Sequence, residues 1–231
     1  MGQKCHPYGF RVGISKDWRS RWYAAGKREY GKCLIEDQRI RKLIAKLLGS
    51  VGNPGGPSAG VADVEIERTK NEVRIVIHTA RPGVVIGRKG TAIDELRAQV
   101  EQLAAPKKVT INIKEITQPE QQAQLISMSI ADQIARRSNY RRAVKRAIET
   151  SLAAGVHGIR VRVAGRLGGS ELARVYSAAF GKLPLNTLSA DIDYGFAEAP
   201  TVYGNIGVKT WIYRGAIPRE RTNHGADAQA R

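Results

Sequence analysis

The sequence has few cysteines and no long apolar run, and each shortage excludes a class of protein. Only two of its 231 residues are cysteines, Cys5 and Cys33, and they form no C-x-x-C unit. A disulfide scaffold or a zinc ribbon is therefore not expected, and a reducing compartment is the natural environment. No stretch approaches the roughly 18 consecutive apolar residues of a membrane-spanning helix. The basic start of the chain also lacks the apolar core of a secretory signal.

Acidic and aromatic residues are scarce as well. The chain has 38 Lys and Arg against 21 Asp and Glu, which gives a formal net charge of +17 and an isoelectric point near 10.2. Such an excess attracts polyanions, so nucleic acid is the expected partner, with an anionic membrane as the weaker alternative. A hydrophobic content of 42% supports a folded core in one or two domains. The low aromatic content, 6%, disfavours a nucleic-acid-binding protein that works mainly by stacking bases on aromatic side chains.

The first half of the chain predicts a mixed unit behind a basic, irregular arm over residues 1–31. A helical spacing over Ile35–Leu48 is followed by the Gly- and Pro-rich loop Gly49–Gly60. Alternating patterns then predict a hairpin, and a second helix and a third strand follow it. These further elements are a strand over Val61–Arg68, a strand over Glu72–Thr79, the short apolar stretch Val84–Ile86, a helix over Thr91–Leu103 and a strand over Lys108–Ile116.

The second half predicts two helices followed by a sheet. Pro119 suits a first helical turn, and Gly155 suits the end of the second helix. The connections between the strands are too short for crossover helices, so the sheet should be antiparallel. The predicted helices are Pro119–Arg137 and Asn139–Ala154, and the predicted strands are Ile159–Val163, Leu172–Phe180, Leu188–Tyr194 and Val202–Tyr213.

Gly87-Arg88-Lys89-Gly90 is the sharpest local motif. Two glycines around two cations allow the backbone to approach a phosphate chain, and the helix that starts at Thr91 adds N–H donors and its positive dipole end. The order of the surrounding elements is that of a type II KH domain, in which such a loop clamps four backbone nucleotides. The alternative for an isolated G-x-x-G is an ordinary helix–helix turn.

A second motif is the basic run Arg136–Arg146. Arg141 and Lys145, like Arg142 and Arg146, are like-charge neighbours four residues apart, each pair unfavourable by roughly 0.2–0.5 kcal/mol on an isolated helix. A sequence that tolerates such pairs predicts contact with an absent polyanion, against the alternative of a solvated basic face.

Three arginines of the next strand region form a third group. Arg160, Arg162 and Arg166 alternate and should share one face of the sheet. The nearby Gly165–Ser170 segment has no Gly-Lys-Ser/Thr, so it predicts a hairpin turn rather than a nucleotide-binding loop.

Residues for catalysis or metal binding are not grouped. Asp191 and Asp193 would share a strand face, but ion pairing with the many arginines is the favoured interpretation. His6, His78, His157 and His224 have no metal-ligand spacing. The sequence therefore predicts no enzyme, no metal and no cofactor.

Several motifs, in order along nearly the whole chain, resemble the bacterial-type small-subunit ribosomal protein S3 family. They are Met1-Gly-Gln-Lys-x-His-Pro, His78-Thr-Ala-Arg-Pro-Gly-Val-Val-Ile-Gly-Arg-Lys-Gly90, Tyr140-Arg-Arg-Ala-Val-Lys-Arg-Ala147, Gly165-Arg-Leu-Gly-Gly169, Ala190-Asp-Ile-Asp-Tyr194 and Tyr203-Gly-x-Ile-Gly-Val-Lys-x-Trp-Ile212.

The resemblance implies an α+β protein. A type II KH domain (helix-strand-strand-helix-helix-strand) would precede a domain of two helices on a four-stranded antiparallel sheet. It implies binding to ribosomal RNA in the subunit head, contacts with ribosomal proteins S10 and S14, and a position at the channel by which messenger RNA enters. By motif, Arg141, Arg142 and Lys145 would help to unwind structured message there. The expected location is the cytoplasm, on the ribosome, with an organellar ribosome as the open alternative.

Together these patterns predict four regions. The arm covers 1–16, the KH domain 17–117, the C-terminal domain 118–214 and a flexible tail 215–231. A free KH regulator of single-stranded RNA and a nucleic-acid enzyme are the competing hypotheses. The predicted RNA-binding residues are Lys4 and Arg11 in the arm, Gly87, Arg88, Lys89 and Gly90 in the loop, and Arg136, Arg137, Arg141, Arg142, Lys145, Arg146, Arg160, Arg162 and Arg166 in the C-terminal domain.

Overall fold

The computed structural model describes residues 5–48, 59–87, 90–104 and 107–216. It contains two α+β units, each built on a four-stranded sheet. Most of the predicted Gly49–Gly60 loop and the tail from residue 217 onward lie outside the described residues. No helix in the described ranges is long and apolar enough to cross a membrane. The helices are α1 (Lys27–Leu48), α2 (Pro82–Ile86), α3 (Thr91–Ala104), α4 (Ala123–Ala135) and α5 (Tyr140–Ala153), and the strands are β1 (Ser20–Arg21), β2 (Val61–Arg68), β3 (Glu72–Thr79), β4 (Lys108–Glu115), β5 (Gly158–Gly165), β6 (Arg174–Gly181), β7 (Ala190–Thr201) and β8 (Gly204–Ala216).

The first unit has the predicted helix-strand-strand-helix-helix-strand order, from α1 to β4. Its sheet runs β1-β2-β3-β4, with β2 antiparallel to β3 and β4 parallel to β3. The two strands of the hairpin have the predicted bounds, because their largely alternating apolar and polar residues favour the register that buries one face, with an irregularity between Val61 and Asp63. Helices α1 and α3 cover that face, and the buried residues that meet there include Ile40, Ile44, Ile66, Ile75, Ile77, Leu96 and Val100.

Helix α1 differs from its prediction, because it begins at Lys27 instead of Ile35. In its first two turns only Cys33 is buried, and the apolar Tyr30 and Leu34 are exposed, so no apolar periodicity marks them. Strand β1 was missed for a related reason. It has two residues and pairs in parallel with Ile66 and Glu67 of β2, so only the neighbouring strand defines it.

A buried carboxylate holds the chain before α1 against the first unit. Asp37, on α1, accepts hydrogen bonds from the indole of Trp22 at 2.7 Å and from Nε of Arg68 at 2.7 Å. Burial alone would lower the pKa of Arg68, but the hydrogen bonds and charges of Glu36 and Asp37 outweigh it and raise that pKa above its usual value. This cluster fixes β1 beside β2.

The second unit has the predicted antiparallel sheet, in the order β6-β5-β8-β7. Helix α4 lies over β7 and β8, and α5 lies over β5 and β6, so both helices cover the same face. Strand β7 is longer than the predicted Leu188–Tyr194. Its inward positions after Tyr194 are Gly195, Ala197 and Ala199, which contribute little to an apolar pattern. Gly195 is required there, since a Cβ would meet the backbone of Ala123 in α4.

Candidate nucleic-acid interface

Helix α5 separates an apolar side from a basic side. Val144 is fully buried, and Tyr140 packs edge-on against Tyr176 of β6 at 5.4 Å between ring centroids. Asn139 caps the helix, because its side-chain oxygen accepts the backbone N–H of Arg141 at 2.9 Å. The cap and the packing hold the opposite side of the helix in the solvent.

The α4–α5 turn adds two more exposed cations, Arg136 and Arg137. The N–H groups of Arg136, Arg137 and Ser138 all donate to carbonyls of the last turn of α4. Arg137 has a φ of 62°, a left-handed conformation in which glycine is the usual residue. The basic surface of α5, named so below, comprises Arg136, Arg137, Arg141, Arg142, Lys145 and Arg146.

Most of this charge has no acidic partner. In the described part of the chain, the one ion pair of the basic surface of α5 joins Lys145 to Glu149 at 3.9 Å, between side chains that are 80% and 63% exposed. Such an exposed pair contributes at most about 1 kcal/mol. Arg141 instead lies over its neighbour Tyr140, with Nε 3.1 Å from the phenol oxygen. The surface therefore concentrates positive charge at the N-terminal, positive end of a helix dipole.

The glycines of the G-x-x-G motif are required by the backbone. Gly87 has a φ of 73°, and a Cβ there would come within 2.6 Å of the Cβ of Ala92. Gly90 has a φ of 85° and immediately precedes α3. Both glycines therefore lie between α2 and α3 in backbone conformations that residues with a Cβ rarely adopt. Arg88 and Lys89 lie outside the described residues.

The arginines of β5 lie on the face of the sheet that the helices leave open. Arg162 is exposed, and Arg160 is half-buried with its guanidinium 5.8 Å from the ring of Trp211. Arg166 follows the strand and is held in its turn by a hydrogen bond to the carbonyl of Ser170 at 2.8 Å. The structure therefore separates Arg160 and Arg162 from the basic surface of α5 by the thickness of the sheet. The segment Gly165–Ser170 forms the predicted turn between β5 and β6.

Arg11 is a correction to the predicted RNA-binding set. Its side chain is fully buried, and it donates to the carbonyls of Pro7, Ala190, Leu185 and Thr187 at 2.8–3.0 Å. Because its N–H groups already have these partners inside the protein, the prediction of an RNA contact at Arg11 is wrong. Lys4, the other predicted residue of the arm, lies outside the described residues.

The paired carboxylates of β7 form ion pairs, as the favoured interpretation predicted. Asp191 pairs with Lys16 at 2.5 Å, and Asp193 pairs with Arg214 at 3.0 Å. Asp193 also accepts the N–H of Ala123, the first residue of α4, at 2.8 Å. Both groups therefore connect parts of the fold.

Sequence reasoning missed the basic and aromatic residues of β7 and β8 that share the open face with the β5 arginines. Lys209 and Phe196 are exposed on neighbouring strands, with Nζ of Lys209 5.9 Å from the ring centroid. The alternation of β8 indicates that Lys209 and Trp211 point away from the face of the buried Val208 and Ile212, but it does not indicate which strands lie beside them.

Comparison with known proteins agrees with this architecture. A family model described as KH domain matches residues 39–121, and one described as ribosomal protein S3, C-terminal domain, matches residues 130–212. The chain is 51% identical to small ribosomal subunit protein uS3 of Desulforudis audaxviator over 96% of this chain and 97% of that one. It is 47% identical to the uS3 protein of Clostridium perfringens over the full length of both chains, and 49% identical to that of Acidobacterium capsulatum over 96% of this chain and 94% of that one. At this identity and coverage, the chain belongs to the ribosomal protein S3 family.

Proposed function

We propose that this protein is a structural constituent of the small ribosomal subunit, where it binds ribosomal RNA in the subunit head and contacts messenger RNA at the channel by which it enters. Its relatives are named as small ribosomal subunit proteins. Because the family consists of structural ribosomal proteins, the protein is not an enzyme. Its place of action is the cytoplasm, on the ribosome.

The basic surface of α5 is the observation that carries this proposal. It combines six cations, a rigid capped helix and a single weak ion pair within the described residues. Like charges at helical neighbours destabilise the free protein slightly, so their concentration is explained by a polyanion that neutralises them. RNA phosphates supply that charge at a regular spacing, and the resulting affinity is insensitive to sequence.

Arg141, Arg142 and Lys145 are the residues we assign to messenger RNA. They lie in the first two turns of α5, where the cap at Asn139 and the packed Tyr140 hold the backbone in place. Cations on a rigid element hold the phosphates of a separated strand without reading its bases. Such a hold opposes the re-pairing of structured message as it is drawn into the ribosome.

Other surfaces support the remaining contacts. Gly87 and Gly90, both with positive φ, flank the predicted phosphate-binding segment at the N-terminus of α3 and support a contact with ribosomal RNA there. An exposed apolar patch that includes Trp18, Tyr30 and Leu34 suits protein neighbours. By family resemblance, S10 and S14 are the proposed neighbours.

The test is the triple variant R141A/R142A/K145A. We expect ribosomes that carry it to translate an unstructured message at the normal rate but to slow on a message with a stable hairpin, because the strands are held less strongly. Purified protein should bind single-stranded RNA with a dependence of log K on log salt that is less steep by about 2, at roughly 0.7 per lost phosphate contact.

The matched control is R28A/K32A/R39A, which removes three exposed cations from α1 and so changes the net charge equally. Translation of the hairpin message should not change in this control. Equal slowing in both variants, or normal translation by the α5 variant, would contradict the assignment. A protein that stays at the top of a gradient while small subunits sediment would contradict the ribosomal role itself.

A further inference from the structure

The open face of the second sheet carries a patch that the proposed function does not yet use. In one row across the strands, Arg162 of β5 lies opposite Lys209 of β8, which lies opposite Phe196 of β7. In the next row, Arg160, Trp211 and Tyr194 are neighbours in the same way. Opposed residues of antiparallel strands point to the same face, so these six side chains form one surface, named the open-face patch below.

Burial confirms which way these side chains point. The residues that alternate with them, such as Val161, Val208 and Ala197, are buried under α4 and α5. Phe196, by contrast, is 41% exposed, and Arg162 and Lys209 are exposed beside it. The side chain of Gln124 on α4 exchanges two hydrogen bonds with the backbone of Phe196, at 2.9 and 3.0 Å. The backbone that carries the aromatic ring is therefore held in place.

The cations of the patch have no acidic partner among the residues that the structure describes. In the described ranges, none of its three cations forms an ion pair. Glu198 is the one carboxylate on the same face in the next row of β7. The positive field reaches the neighbouring arm, since burial and the charges of Arg19 and Lys209 lower the pKa of His6, whose ring contacts Tyr194 at 4.7 Å. An acidic polymer is the complementary partner.

The aromatic rings distinguish RNA from an acidic polypeptide. Each row holds one ring beside a cation: Nζ of Lys209 lies 5.9 Å from the ring centroid of Phe196, and the guanidinium of Arg160 lies 5.8 Å from that of Trp211. An unpaired base has a flat face for the ring and a phosphate for the cation, so it satisfies both groups at once. Four strands span about 14 Å, and sheets of this width stack two or three bases. The low aromatic content of the chain disfavours base stacking in general, but this face brings together three rings, of which Phe196 is exposed and Tyr194 and Trp211 are half-buried.

We infer that the open-face patch binds unpaired RNA, with a base stacked on Phe196 and its phosphates held by Arg160, Arg162 and Lys209. This inference rests on the proposed function only in assuming that the protein is surrounded by RNA. It assigns a second mode of binding, through bases, on the side of the sheet opposite the basic surface of α5.

The first test uses the full chain and a mixed-sequence, fluorescein-labelled RNA of 12 nucleotides, single-stranded or paired. Phe196→Leu should weaken binding of the single strand about 5- to 150-fold, the range for the loss of one base–aromatic stack, with the salt dependence unchanged. Arg162→Gln should instead make the salt slope less steep by about 0.7. The control is Tyr23→Leu, which changes an aromatic residue that is 91% exposed and lies outside the open-face patch. This variant should bind RNA as the unaltered chain does.

Three outcomes of this test would overturn the inference. One is unchanged binding of the single strand by Phe196→Leu when its circular dichroism and melting temperature match those of the unaltered chain. Another is an equal loss for single-stranded and paired RNA, since a duplex offers no unpaired base. The third is a shift of the amide resonances of Phe196 and Lys209 when a polyglutamate peptide is added but not when the RNA is added. The patch would then bind an acidic polypeptide.

The second test separates this inference from the proposed function. Intact small subunits are irradiated at short ultraviolet wavelength, and nucleotide adducts are located by mass spectrometry. We expect adducts on the peptide that contains Phe196. Adducts on peptides of α5 without any on β7 or β8 would overturn the inference and leave the proposed function standing. Adducts on β7 or β8 without any on α5 would contradict the assigned role of α5 and leave this inference standing.

Discussion

At the scale of single residues, Arg137 shows a conflict between backbone and charge. Its φ of 62° ends α4 in the left-handed conformation, which costs an ordinary residue about 1–2 kcal/mol. Glycine would meet this geometry without strain, yet the position holds an exposed arginine that belongs to the basic surface of α5. The strain is explained if the positive charge is needed for binding.

Arg137→Gly should therefore stabilise the protein and weaken its hold on RNA. We expect the free energy of unfolding in urea to rise by about 0.5–1 kcal/mol. The salt slope for single-stranded RNA should become less steep by about 0.7. The neighbouring Arg136, with a φ of −79°, is the matched control, because Arg136→Gly removes the same charge and relieves no strain. Equal stability changes in both variants would contradict the explanation.

At the scale of elements, helix α4 is capped by a strand far away in the sequence. Gln122, the residue before the helix, makes no side-chain cap, and Asp193 of β7 accepts the N–H of Ala123 instead. The same carboxylate holds Arg214 of β8, which also donates to the carbonyl of Gln121 at 3.1 Å. This explains why the predicted helix from Pro119 divides into a 3₁₀ turn, Pro119–Gln121, and α4.

Two substitutions separate the cap from the ion pair. Asp193→Ala should lower the free energy of unfolding by about 1–2 kcal/mol, since both the cap and the pair are lost. Asp193→Asn should lower the free energy of unfolding by less, because asparagine caps a helix about as well as aspartate. Urea unfolding of both variants measures the difference. Equal losses would show that the charge alone matters and that Ala123 needs no cap.

At the scale of the whole molecule, the segment that contains Arg11 connects the two units. The chain before α1 first packs on the C-terminal unit, where Arg11 occupies a cage of carbonyls and Lys16 pairs with Asp191. A few residues later it adds β1 to the sheet of the first unit. The segment therefore connects both units, and burial lowers the pKa of Arg11 without removing its charge at neutral pH.

Arg11→Met should destabilise the protein by about 3 kcal/mol, because several buried carbonyls lose their donor. Hydrogen exchange should accelerate at Leu185 to Ala190 and in β1, since both parts depend on the same segment. The control Arg19→Met removes a half-exposed arginine that pairs with Asp63 at 2.9 Å. It should lower the free energy of unfolding by less than about 1 kcal/mol. Similar losses in the two variants would contradict the special role of Arg11.

The sequence was a good guide wherever a pattern depended on near neighbours. The hairpin β2–β3, the position of α5 and the order of both units follow from alternation, helical spacing and glycines, all of which act within a few residues. The glycines at 87 and 90 and the basic face of α5 were found in the same way. The family motifs then identified the chain without any distance being measured.

Only the tertiary structure decided which cations face the solvent and which groups meet from distant parts of the chain. Arg11 and the residues of the basic surface of α5 look alike in the sequence, but a cage of carbonyls 173–179 residues further on buries the first. The open-face patch likewise exists only because the register of three strands aligns Arg162, Lys209 and Phe196. The charge of the chain and the periodicity of its apolar residues are set by composition and by near neighbours. The burial of a side chain and the alignment of strands depend instead on contacts between residues far apart in the chain, and no local pattern encodes those contacts.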